Sequence, residues 1–180
     1  MNRRHLLRTT ALALVAAPIA ACSVFQSTTT NGVTTITVNV AKLDAWGQAF
    51  INGGTMLLGL PGVATLPAGV EIAAVLVMAK ANLAALDAET HGQAMLTFDS
   101  TSVPAAIQSV LADGKNLLTD AQGLMDTAAQ GTASEVQTYI NAIQTVVSIF
   151  SATIGQIVAG ARVGAPPMTE ARALAVLQVR

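Results

Sequence analysis

One cysteine, Cys22, stands in 180 residues, so no disulfide closes within the chain and no thiolate cluster holds zinc or iron. Aromatic residues make up 3% of the chain and charged residues 11%, against 52% hydrophobic, so the apolar content is mostly Ala, Val, Leu and Ile. Few rings leave little to stack on bases or sugars. Histidine is nearly absent: His5 lies in the basic N-terminal segment, which leaves His91 as the one imidazole for the rest of the chain. There is no Gly-x-Ser-x-Gly elbow. The residues three before Lys42, Lys80 and Lys115 are Asn39, Val77 and Ala112, so no Ser-x-x-Lys motif exists either. Asp113-Gly114-Lys115 resembles a phosphate loop only briefly, because Ser109 stands where the first glycine belongs and the segment has a helical pattern. Covalent haem attachment, calcium loops and the paired Glu-x-x-His of di-iron bundles are also missing. Neither a cofactor nor an enzymatic activity is therefore expected. Charge is sparse in two long stretches: Ala45 to Ala79 holds only Glu71, and Val136 to Ala161 holds none.

What is present begins at the N-terminus. Met1 to Arg8 carries three of the nine basic residues and no acid, and Thr9 to Ala21 is an uncharged apolar run. These are the n- and h-regions of a signal peptide. The apolar run is well short of the roughly 20 residues that span a bilayer. Its only Ala-x-Ala triplet, Ala11-Leu12-Ala13, lies too early to be the usual cleavage site. At its end stands Ile19-Ala20-Ala21-Cys22, which resembles the lipobox of bacterial lipoproteins. The resemblance implies that the signal is removed before Cys22 and that the Cys22 thiol is acylated. Ser23, rather than Asp, then implies passage to the outer membrane. Asn2-Arg3-Arg4-His5-Leu6-Leu7-Arg8 also resembles a twin-arginine translocation signal through Arg3, Arg4 and the leucine pair, although Asn2 and Arg8 stand where Ser or Thr and Lys are commoner. That route carries folded cargo. The other reading is an ordinary secretory signal whose n-region contains Arg-Arg.

The expected organisation is a signal peptide over 1–21, a lipid-anchored tether over 22–38 and a helical domain over 39–180. Removal of the leader leaves 159 residues, enough for one domain with a core, carrying six bases and ten acids. At a formal charge of about −4 it offers no basic field for nucleic acid.

Ser23 to Thr37 is rich in Ser and Thr. Asn31-Gly32 is a type I′ turn signal, and Ile36, Val38 and Val40 alternate with Thr35, Thr37 and Asn39, so a small β-hairpin is the alternative to a tether. An isolated hairpin is marginal in water, which favours the tether. Asn39 then caps a helix with Val40, Leu43, Trp46 and Phe50 at helical spacing, weakened at Gly53-Gly54 and stopped by Pro61-Gly62. Trp46 and Phe50 at that spacing are core residues rather than a ligand platform. After Pro67 a second helix runs to about Ala88, with Ile72, Val75, Leu76, Ala79, Leu83 and Leu86 on one side, and Thr90 to Thr101 follows as a connection. Ser102 caps a third helix whose seam is Ile107, Leu111, Gly114, Leu118, Ala121, Met125 and Ala128. Gly131 ends it. The fourth helix, 136–161, carries Val136, Ile140, Ile143, Val147, Phe150, Ile154 and Ile157, with a parallel polar stripe of Gln137, Asn141, Gln144, Ser148 and Ser151. That stripe opposes a membrane-spanning role, because amides facing lipid are costly. After Pro166-Pro167, Thr169 to Val179 forms a short last helix through Leu174 and Leu177.

The expected fold is all-α: an up-down bundle of about four long helices plus a short C-terminal one. Asp87, Glu89 and His91, with Asp99, can offer ligands to a divalent metal if the second helix persists to His91; otherwise they form a solvated helix end. The expected function is that of a lipid-anchored structural or interaction module on the periplasmic side of the cell envelope, meeting a protein partner or a second copy of itself. The alternatives are a membrane-active protein that inserts Gly53 to Met78 or the fourth helix, and a metal-dependent role around His91.

Overall fold

The computed structural model describes residues 25–30, 33–99, 102–126, 132–158 and 168–178. The expected leader with Arg3 and Arg4, the expected lipidation site Cys22, and the end of the expected fourth helix lie outside these residues. The chain is mostly helical with a small antiparallel sheet. In chain order come β1 (Phe25–Thr30), β2 (Val33–Asn39), α1 (Val40–Gly59), a short 3-10 turn (Val63–Thr65), α2 (Pro67–Thr90), β3 (Met95–Asp99), α3 (Ala105–Gly123), α4 (Ala133–Val158) and α5 (Glu170–Val176).

Two expectations change at the N-terminal side. From Phe25 onward the tether is paired strand: Phe25 faces Val38 and Thr30 faces Val33. The connection after α2 contributes β3, with Met95 opposite Asn39 and Asp99 opposite Thr35. A third strand and an apolar face supply what an isolated hairpin lacks. Ile36 and Val38 are each 1% exposed, while Thr37 and Thr97 share a hydroxyl hydrogen bond of 3.1 Å on the other face. Through Ile36 and Val38 the sheet packs on the same hydrophobic core as the helices.

Asn39 ends β2 and caps α1, its Oδ1 accepting from the Lys42 N–H at 3.2 Å. The Val40 N–H donates to the Ala94 carbonyl at 3.1 Å, joining the start of α1 to the loop that precedes β3. Helix α1 continues through Gly53-Gly54 to Gly59. Those glycines are sites of close approach: a methyl group on Gly54 would lie 2.7 Å from Leu76 Cδ2, and one on Gly53 would lie 2.9 Å from Ile143 Cγ1. Each glycine costs a helix about 1 kcal/mol, and the intimate packing that it permits offsets this. Pro61 and Gly62, with Gly62 at φ +80°, turn the chain into α2.

The core centres on α1. Trp46 and Phe50 are buried, and both pack on Phe150 of α4, with ring centroids 4.9 and 6.3 Å apart. Each pair contributes about 0.5–1.5 kcal/mol beyond its buried area. The expected inward face of α2, from Ile72 to Leu86, is buried throughout. On α3 the seam is rotated: Leu117 and Leu124 are fully covered, whereas Leu118 and Met125 are half-buried at its edge. Ser102 does not cap α3. Its N–H bonds to the Asp99 carbonyl at 3.0 Å, three residues before the first helical position, and Pro104 precedes the helix instead. Helix α4 is interior over most of its length, with Gln144, Ser148 and Ser151 only partly exposed, which accounts for its missing charge.

The short α5 is held at both ends against α1. Thr169 caps it, and the Glu170 carboxylate Oε1 accepts from both Lys42 Nζ and the Trp46 indole Nε1, each at 3.0 Å. At the far end Asn52 Nδ2 donates to the Leu177 carbonyl at 3.0 Å, and Ala173 and Leu177 are buried.

Candidate functional site

Three places gather side chains with chemical potential, and α2 contributes to all of them. The first is an open groove of about 310 Å³ between α1 and α2. Its apolar floor is Ile51, Leu83 and Ala84, and its rim is Asp44, Gln48, Lys80 and Asp87. Close contact of α1 and α2 at Gly47, where an added methyl would meet Leu83 Cδ1 at 2.5 Å, sets the depth of this floor. The rim offers two carboxylates and one ammonium but no hydroxyl, thiol or imidazole, so no Ser-His or Cys-His arrangement stands there.

Of the metal candidates, Asp87 belongs to this groove and the others do not. Glu89, two residues on, leaves the helix on a different side, because residues two apart do not share a face. His91 lies beyond the end of α2 in a left-handed conformation, φ 49°, with its N–H bonded to the Asp87 carbonyl at 3.1 Å. The helical persistence that would align His91 with Asp87 is thus absent. Asp99 is four residues along β3 from Met95 and opposite Thr35. Among the described residues no three His, Cys, Asp or Glu side chains come together as a metal set.

The second place is buried. Asp113 on α3 is 4% exposed and accepts from Asn82 Nδ2 of α2 at 2.7 Å. Burial pushes its carboxyl above the ordinary carboxylate range, and the Asn82 hydrogen bond opposes that rise. About two turns further along α3, Asp120 is also raised, first by burial and then by the nearby Glu71 carboxylate. Motif spacing singles out Asp113 only as part of a false phosphate loop. Its position between Val110 and Leu117 on the apolar seam is the signal that it faces inward.

The third is the outward face of α2. Val70, Ala74, Val77, Ala81, Ala84 and Ala88 recur at alternating four- and three-residue spacing, and all are exposed. Val70 is 62%, Val77 70% and the neighbouring Met78 48% exposed. Glu71 and Glu89 flank this strip on one side, and Lys80 and Asp87 on the other. Elsewhere among the described residues the larger exposed helix side chains are polar, such as Gln48 on α1, Lys115 and Asn116 on α3, and Glu135 and Gln137 on α4. Among the described residues α2 is the one helix long and apolar enough to cross a membrane. No protein-family model, curated protein or solved structure matches this chain.

Proposed function

We propose that the protein is an exported lipoprotein. The leader 1–21 is removed, the Cys22 thiol becomes thioether-linked to lipid, and an up-down helical bundle is displayed on the periplasmic side of the envelope, with Ser23 directing it to the outer membrane. The observation that carries this reading is Ile19-Ala20-Ala21-Cys22 at the end of a short apolar run that follows Arg3-Arg4. Pairwise registers support the bundle topology. Gly47 opposes Leu83 while Gly54 opposes Leu76, and Trp46 opposes Phe150 while Gly53 opposes Ile143, so α2 and α4 both run against α1. The folded domain serves as a structural or interaction module, a reading supported by the exposed apolar strip of α2 and by a groove whose lining, among the described residues, holds no hydroxyl, thiol or imidazole. The anchor concentrates it at the membrane, so that a weak contact suffices. Labelled palmitate should enter the wild-type chain and not Cys22→Ser, and the wild type should float with membranes. A wild-type chain that takes up no palmitate ends this reading. A second reading, a membrane-active protein, draws support from α2, whose first half is shared with the expected Gly53 to Met78 segment; release of a trapped dye from liposomes by the purified chain tests it.

A further inference from the structure

We infer that the exposed strip of α2 rests on the bilayer surface, so that the anchored domain lies with α2 along the membrane. The inference depends on the lipid-anchor reading and adds an orientation to it. Three observations lead to it. First, the spacer is short. Phe25 already pairs with Val38, so only Ser23 and Val24 separate Cys22 from the sheet, and three extended residues reach about 10 Å. Such a spacer holds the domain against the headgroups. Second, the anchor enters beside one end of α2. Phe25 faces Val38, Val38 faces Leu96, and β3 follows α2 after a four-residue link. Two strand spacings place β1 about 10 Å from β3, close to the C-terminal end of α2. With that end fixed, the bundle either stands upright or lies on one of its long sides, and among the described residues the α2 side is the one whose helix exposes large apolar side chains, Val70, Val77 and Met78. Third, the size of the strip selects its occupant. From Val70 to Ala88 it is about 27 Å long and about 10 Å wide, or roughly 270 Å². A stable protein interface buries about 800 Å² on each side. A free second copy would gain too little from such a patch. A membrane that the chain is already tethered to needs only a shallow contact, since the anchor supplies the local concentration.

The test separates this orientation from acylation in the cell. The mature chain beginning at Cys22 is coupled through its one thiol to a maleimide phospholipid in phosphatidylethanolamine–phosphatidylglycerol vesicles, and compared with the same chain blocked by N-ethylmaleimide in solution. Both are treated with chloramine-T, an anionic oxidant that the bilayer excludes, and methionine sulfoxide is followed by mass spectrometry. Met78 beside the strip should oxidise about fivefold more slowly on vesicles, with half-buried Met125 on α3 changing less than about twofold. Val77→Glu, at a position with ample exposure, should restore the Met78 rate while leaving Trp46 emission unchanged. Equal Met78 rates on vesicles and in solution overturn the inference, even where palmitate labelling succeeds in cells. So does a Met78 that is already protected in solution and becomes reactive on dilution, because a second copy then covers the strip.

Discussion

Glu170 offers a decisive test of what holds the C-terminal helix in place. Its Oε1 accepts from Trp46 Nε1 and from Lys42 Nζ, both at 3.0 Å, but the two bonds differ in setting. The Lys42 and Glu170 side chains are 40% and 26% exposed, so their ion pair contributes about 0–1 kcal/mol. Trp46 is 0% exposed, and an indole N–H stranded there costs about 1–3 kcal/mol. Glu170→Ala removes both and should cost about 2 kcal/mol, whereas Glu170→Gln keeps a carbonyl oxygen for the indole and should cost less than about 1 kcal/mol. Lys42→Met, which removes only the ammonium, should match Glu170→Gln within about 0.5 kcal/mol. For a domain of this size, 2 kcal/mol corresponds to a fall of about 4–8 °C in Tm. Urea denaturation followed by the emission of Trp46, the one tryptophan in the chain, reads both the stability and the local environment. Asn52, Ala173 and Leu177 still hold α5, so Glu170→Ala should remain folded with a shifted emission maximum. If Glu170→Gln or Lys42→Met costs as much as Glu170→Ala, the ion pair rather than the indole bond fastens α5, and the assignment made from burial is refuted.

Two further predictions concern the interior. Because burial raises the folded-state pKa of Asp113 above its unfolded value of 3.8, the favourable contribution of the protonated acid is complete below 3.8 and is lost as pH rises through the raised value. Wild type should therefore gain stability relative to Asp113→Asn as pH falls from 7 toward 4, in paired urea melts; a pH-independent difference between the two refutes the assignment. Gly114→Ala places a methyl 2.5 Å from the Phe50 ring and should cost about 1–3 kcal/mol, while Gly59→Ala meets nothing within 4 Å and should be neutral or stabilising by up to about 1 kcal/mol, both read as thermal midpoints.

Helix periodicity and punctuation were legible in the chain itself. Asn39 as a cap, Pro61-Gly62 as a break, the inward row of α2 and the burial of Trp46 and Phe50 all follow from local chemistry that acts within one or two turns. The alternation of Ile36 and Val38 with threonines was legible as well. Its partner β3 was not, because pairing β2 with β3 joins residues some sixty positions apart, which no local pattern specifies. Likewise Leu117 rather than Leu118 lines the seam of α3, since two adjacent leucines satisfy the same helical period and only the packing of α1 and α2 chooses between them.

By itself the sequence determined the single cysteine and the positions of the long helices, because each depends on residues adjacent in the chain. Tertiary structure alone decided which apolar face is left outside. Helix α2 is apolar on both sides, with Ile72, Leu76 and Leu83 on one and Val70, Val77 and Ala81 on the other, and composition does not distinguish them. The glycines of α1 and the Asn82–Asp113 bond to α3 draw the first face into the core. The second remains in contact with the surroundings, at the helix whose C-terminal end lies beside the sheet where the chain enters the domain.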